Sequence, residues 1–236
     1  MTAPGTSRTP SKRIRIAPSL LSANMAELGR EAQRAKECGA DWLHIDVFDG
    51  HFAPNLSFGP QTVADLRDRS DLFFDVHLML SRPLDHVERF AKAGADLITV
   101  HVEAEGDLGD TISAIRELGP KVGVSLVPDT LADAVLPHLA DVDLVLPMTV
   151  RPGFSGQKFM PSVLGTIAEI SGAVAARGLS VDIQADGGVS RDTIPALVKA
   201  GVNVFVAGLA AFGRPDLAAA IKELRDTATE ALGELE

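Results

Sequence analysis

A histidine and an aspartate stand two residues apart, His44 and Asp46, inside the apolar run Trp42-Leu43-His44-Ile45-Asp46-Val47. If that run is a strand, both side chains leave the same face. His77 lies near the end of a second apolar run, Phe73–Leu78, and Asp186 directly follows a third, Val181–Ala185. Two imidazoles and two carboxylates brought to one place form a donor set for a borderline divalent ion such as Zn2+, Fe2+, Co2+ or Mn2+. Any one of these residues taken singly reads more simply as a hydrogen-bonded histidine or a solvated loop carboxylate. All four at the same end of three strands read as a site. The other histidines carry less. His101 closes a further apolar run and either faces the same mouth or packs as a satisfied core residue. His51 lies in the loop Asp49–Asn55, and His86 and His138 fall in helical stretches and read as surface.

Glycine supplies the second signal. Asp186-Gly187-Gly188 leads towards a helix near Thr193, and Ala207-Gly208-Leu209 follows another apolar run. Glycine lets backbone N–H groups approach an anion closely, as phosphate sites ahead of helix N-termini require. The third signal is the stretch Met148–Phe159, which holds Gly153, Gly156 and the aromatic Phe154. A long loop of that make-up suits a lid closing over a substrate.

These residues need a scaffold that turns strand ends towards one another. One pattern recurs: a helical stretch ends in glycine, a few small or polar residues follow, and an apolar strand begins. Gly39, Gly94 and Gly201 mark three instances. Glycine there suits a left-handed helix cap, and the apolar run after it suits a strand buried on both faces. Eight strands are expected, near Arg15–Pro18, Trp42–Val47, Phe73–Leu78, Leu97–Val102, Val122–Leu126, Leu144–Met148, Val181–Ala185 and Val204–Ala207. Helices are expected between them, among others over Asn24–Cys38, Pro83–Ala93, Leu131–Leu139, Val163–Arg177 and Thr193–Ala200. Strict alternation of strands and helices implies an α/β fold. The absence of a glycine-rich first turn favours a single (β/α)8 TIM barrel over an open doubly wound sheet. In such a barrel the site lies at the C-terminal strand ends, and phosphate often sits on the loops after strands seven and eight.

With 236 residues, of which 46% are apolar, the chain suits one barrel domain over residues 14–236. Residues 1–13, rich in Thr, Ser, Pro and basic groups without an apolar segment, read as a flexible tail rather than a secretory signal. A net charge of −10 disfavours nucleic acid and anionic membranes as bulk partners, yet leaves a local site free to take a small anion. No apolar run approaches a membrane span. The one cysteine, Cys38, cannot form an internal disulfide and reads as an idle thiol, in keeping with a cytoplasmic protein.

From about Ile16 to Phe212 the sequence resembles the ribulose-phosphate 3-epimerases. The resemblance rests on Ile16-Ala17-Pro18-Ser19-Leu20-Leu21-Ser22-Ala23, on His44–Phe52, and on Asp75-Val76-His77-Leu78-Met79. Met148-Thr149-Val150, Pro152-Gly153-Phe154-Ser155-Gly156-Gln157 and Asp186-Gly187-Gly188 complete it. It implies that His44, Asp46, His77 and Asp186 hold one divalent metal ion and that Asp46 and Asp186 double as an acid/base pair. It further implies substrate contacts from Ser19, His77, Gly153, Phe154, Ser155, Gly156, Asp186, Gly187, Gly188, Gly208 and Leu209, with Met79 and Met148 packed around the reacting carbons. The implied reaction is epimerisation at C3 of a ketose phosphate, D-ribulose 5-phosphate to D-xylulose 5-phosphate, by two-base proton transfer through a metal-stabilised enediolate. The implied partner is a small sugar phosphate, and a homo-oligomer is expected.

The sequence departs from that family at several positions. Phe48 stands where methionine is common, Leu209 where serine is usual beside the phosphate, Ala185 where valine is common, and Arg151 where Asn, Asp or Glu is usual. Arg151 reads either as a solvated loop residue or as a phosphate contact replacing the missing hydroxyl. These changes keep open a related hexulose-phosphate 3-epimerase, of the allulose 6-phosphate type. A non-catalytic sugar-phosphate sensor is the remaining alternative, and the retained pair of carboxylates argues against it.

Overall fold

The computed structural model describes residues 13–235. The expected tail therefore lies, apart from Arg13, outside the described residues. Eight parallel strands run in chain order: β1 (Arg15–Pro18), β2 (Trp42–Phe48), β3 (Phe73–Met79), β4 (Leu97–His101), β5 (Lys121–Leu126), β6 (Leu144–Pro147), β7 (Asp182–Asp186) and β8 (Val204–Ala207). Each pairs with its sequence neighbour from β2 to β8, and β8 returns to pair with β1. A parallel bridge between Ser19 and His44 closes the ring between β1 and β2. The fold is the expected (β/α)8 barrel.

Residue alternation sorts the strand side chains into two cores. Leu43, Ile45 and Val47 of β2 and Phe74, Val76 and Leu78 of β3 point outwards into the large apolar layer beneath the helices. Trp42, Leu97, Leu144, Leu146, Val204 and Val206 point inwards and fill the barrel axis. Higher on the same inward faces the character changes to polar. His44, Asp46, Asp75, His77, Thr99, His101, Ser125 and Gln184 are all buried.

The α-helices are α1 (Leu28–Glu37), α2 (Pro60–Arg67), α3 (Val87–Lys92), α4 (Leu108–Leu118), α5 (Leu164–Ala176), α6 (Ile194–Ala200) and α7 (Leu217–Gly233). Gly39, Gly94 and Gly201 lie at φ of +85°, +100° and +106°, the left-handed conformation that the recurring glycine pattern requires. Asp107 and Asp216 cap α4 and α7 by accepting the N–H groups of Asp110 and Ala219 at 3.0 Å each. One expected helix does not form. The stretch Leu131–Leu139 folds instead as two 3-10 turns, Ala132–Ala134 and Leu136–His138. Pro137 lacks an N–H and disfavours a helical residue before it, so an α-helix cannot run through that point. No helix among the described residues is long and apolar enough to cross a membrane.

Inside the barrel Gly123 of β5 faces Thr99, its register partner on β4, at close quarters. A Cβ at Gly123 would overlap the buried Thr99 hydroxyl. Gly123→Ala should therefore destabilise the protein by about 1–3 kcal/mol, as overpacked cores do. Urea unfolding of Gly123→Ala, Thr99→Ala and the double variant should show a coupling of about 0.5 kcal/mol or more in favour of the double variant. Strict additivity would mean that the two positions do not clash.

Candidate active site

At the open end of the barrel, His44 and Asp46 of β2, His77 of β3 and Asp186 at the end of β7 present ligand atoms that all lie within 4.8 Å of one another. The alternation of β2 puts His44 and Asp46 on one face, and register sets Asp46 beside His77. His44, Asp46 and His77 are each held from outside the cluster. His44 Nδ1 lies 2.6 Å from Asp75 Oδ2, and its Nε2 lies 3.1 Å from Asp46 Oδ1. The Asp75 oxygen also accepts from the Gln184 amide at 2.5 Å. The Ser19 hydroxyl donates to Asp46 Oδ2 at 2.5 Å. His77 Nδ1 is 3.4 Å from Asp46 Oδ1 but makes no hydrogen bond, and it is one of the few buried side-chain nitrogens without a partner.

The electrostatics follow from burial and mutual proximity. Burial alone would lower the pKa of His44, but the carboxylates of Asp46 and Asp75 outweigh it and raise the imidazole well above its ordinary value. Burial would raise Asp46, yet His44, with help from His77, holds its carboxyl far below the usual range. Asp186 has no such partner. Burial, reinforced by the negative charge of Asp46, pushes it up to about 7. Burial likewise pushes His77 down to about 4 against the pull of Asp46. The two carboxylates therefore differ, one firmly ionised and one holding a proton near neutrality, which is the division that an acid and a base need.

A cavity of about 740 Å³ opens over this cluster. Ser19, Phe48, Met79 and Met148 line its floor and walls, and the glycine loops and the loop after β6 form its rim. Gly187 and Gly188 sit at φ of +115° and +64°, and a Cβ on Gly188 would strike the backbone of Phe159. At Gly208 a Cβ would come within 2.6 Å of the Ser22 hydroxyl, which would have to turn away. The loop after β6 is closed at its base by the Met160 N–H donating to the Thr149 carbonyl at 2.9 Å. Within it, Gln157 donates to the carbonyls of Arg151 and Phe154 at 2.7 and 2.9 Å. Asn55 donates to the Gly153 carbonyl at 2.6 Å, and Leu209 packs beside Gly156. Phe154 and Leu209 are both more than half exposed.

The residues expected to act together are thus near one another: His44, Asp46, His77 and Asp186 in the cluster, and Ser19, Gly153–Gly156, Gly187, Gly188, Gly208 and Leu209 around the cavity. Arg151 also lines the cavity, but its guanidinium already has a partner in Asp129, 2.6 Å away on the loop after β5. His51 is exposed, and His86 and His138 lie far down the chain's helical connections, partly buried. Sequence reasoning passed over Asp75 and Gln184, each two residues before a cluster member on the same inward face, a spacing that would have marked them. It also passed over Ser22, whose buried hydroxyl lines the cavity without a hydrogen-bond partner.

Known proteins give the arrangement its context. Residues 15–212 match the ribulose-phosphate 3 epimerase family. A ribulose-phosphate 3-epimerase of Bacillus subtilis is 47% identical over 213 residues, covering 90% of this chain and 98% of the relative. Another, from Synechocystis, is 45% identical over 219 residues, covering 92% of this chain and 95% of the relative. Among solved structures, KGPDC from Streptococcus mutans superposes with a TM-score of 0.68 at 16% identity, over 93% of this chain and 99% of the other. At that identity the likeness concerns the barrel alone. With the family matched across most of the chain and relatives this similar, the chain belongs to the ribulose-phosphate 3 epimerase family and is an isomerase of that type.

Proposed function

We propose that this protein interconverts D-ribulose 5-phosphate and D-xylulose 5-phosphate by moving the C3 proton from one face of the sugar to the other. The observation that carries the reading is the pair Asp46 and Asp186, close together at the barrel mouth yet opposite in proton affinity. The substrate is taken from the relatives, whose names specify ribulose-phosphate.

The residues also suit a divalent ion. His77 Nδ1 is buried without a partner, and the two imidazoles and two carboxylates offer N and O donors within 4.8 Å of one another. His44, Asp46, His77 and Asp186 would hold Fe2+, Zn2+, Mn2+ or Co2+. Such an ion, when bound, supplies a fixed positive charge for the negative charge that develops on the ketose oxygens. The protein's own part is positional. Asp46, kept ionised by His44, accepts the C3 proton, and Asp186, which holds a proton near neutrality, delivers one to the opposite face; in the reverse direction the roles exchange. Ser19 fixes the Asp46 carboxylate by its 2.5 Å hydrogen bond. Met79 and Met148, both buried against the cavity, exclude water without offering a competing proton donor. Gly187, Gly188, Gly208 and Leu209 take the phosphate through backbone N–H groups, and the loop holding Gly153–Gly156 covers it.

Assays on ribulose 5-phosphate and allulose 6-phosphate should show clear preference for the pentulose; preference for the hexulose would replace this reading with the sister activity. Removal of the metal with a chelator should abolish turnover, and one of the four ions should restore it. Because His44 carries a proton that a cation must displace, affinity for the ion should fall as pH drops. The fall should be about tenfold per pH unit for each proton released, readable by calorimetry in buffers of different ionisation enthalpy. Full activity in the stripped protein would end the metal assignment. Asp46→Asn and Asp186→Asn should each lower kcat by about 10²–10⁴-fold in variants whose metal content has been verified. Near-normal turnover in either, with metal bound, is incompatible with two-base transfer.

A further inference from the structure

A chain of three side chains runs from the cluster to the barrel rim. His77 Nε2 lies 2.9 Å from His101 Nε2, with the two rings stacked at 5.0 Å between centroids. His101 Nδ1 lies 3.1 Å from Glu103 Oε2. The other Glu103 oxygen accepts from the Val127 N–H at 2.9 Å and the Thr130 hydroxyl at 2.5 Å. Both imidazoles are buried, and the Phe52 ring covers His101 at 4.6 Å. His101 and Glu103 are absent from the cavity lining.

The proton order along this chain can be deduced. A carboxylate only accepts hydrogen bonds, so Glu103 demands a proton on His101 Nδ1. A neutral His101 then presents a lone pair at Nε2, and only His77 Nε2–H can face it at 2.9 Å. A neutral His77 that donates from Nε2 has its remaining lone pair on Nδ1. That is the atom found buried and unpartnered, pointing into the group of possible metal ligands. The reverse order would need a doubly protonated His101 stacked on His77 beside the place where a cation is to sit.

We propose that His101 and Glu103 are positioning residues that hold His77 in the tautomer whose Nδ1 is free to bind a divalent cation. They touch neither cation nor substrate and act through His77, as outer hydrogen-bond partners of metal-binding histidines do. Glu103 also ties the loop after β5 to this chain, through Val127 and Thr130. The proposal rests on the metal reading given under the proposed function, but its main readout does not require metal.

The test begins with the metal-free, 15N-histidine-labelled protein. Ring nitrogen shifts should show His77 protonated at Nε2 and bare at Nδ1, and His101 protonated at Nδ1. In Glu103→Gln the His77 signal should move towards a mixture of tautomers, because an amide can either donate or accept. Co2+ titration followed by visible absorption should give a dissociation constant about 10–100-fold weaker for Glu103→Gln and His101→Phe, with partial recovery in Glu103→Asp. A purely structural role would lower thermal stability without altering the tautomer. Finding His77 protonated at Nδ1 in the unaltered chain overturns the proposal, even if a variant fails to fold. So does Co2+ affinity within about twofold of the unaltered protein in both disruptive variants. If the unaltered chain takes up no Co2+, the metal reading falls instead, and the tautomer result judges the positioning role by itself.

Discussion

Asp75 has no access to water, yet its carboxylate sits inside a closed parallel sheet, 2.6 Å from His44 and 2.5 Å from Gln184. Placing an ion there costs several kcal/mol unless partners offset it, and leaving one partner unpaired is dearer still. The upper half of the barrel is organised around that constraint. Asp75 anchors His44, His44 keeps Asp46 ionised, and the charge on Asp46 helps to keep Asp186 protonated. Proton affinities at the mouth thus follow from burial and from neighbouring charges, one of which, acting on His44, lies a layer deeper and never meets the solvent.

The lower half of the barrel shows why this arrangement is tolerated. Trp42, Leu97, Leu144, Leu146, Val204 and Val206 fill the axis with apolar volume, and the sheet packs outwards on a second, larger apolar layer. The backbone is therefore held rigidly by residues that do no chemistry. The polar side chains above inherit their positions from strand register, so few of them need long, adaptable stems. Ser19, His44, Asp46, Asp75 and His77 are all short or stiff.

Much of this was legible in the sequence, for identifiable reasons. The strands show because they are apolar on both faces and several follow a glycine cap, as at Gly39, Gly94 and Gly201. His44 and Asp46 show because a period of two is visible within one strand. Asp75 and Gln184 carry the same period-of-two signal ahead of His77 and Asp186, but that Asp75 faces His44 depends on the register between β2 and β3, which neither strand shows locally. The stretch Leu131–Leu139 has the apolar spacing of a helix, and the single imino acid Pro137 overrides it. Arg151 was read without the carboxylate that holds it, since Asp129 belongs to a different loop.

The hydrogen bond between Thr149 and Met160 makes the covering loop a compact Ω-shaped excursion with pinned ends. Its C-terminal stem cannot slide, because Phe159 lies against the bare α-carbon of Gly188. Its interior is braced by Gln157, which ties the two carbonyls of its own turn together. The segment is therefore braced rather than floppy, and most of its ordering entropy is spent at folding instead of at each binding event. Its side-chain ties to neighbouring loops are few and local: the Asn55 bond to Gly153 on one side, and the Arg151 pair with Asp129 on the other. If this segment serves as a lid, its opening would be the release of two catches on a rigid cover, governed by the catches and not by the length of the loop.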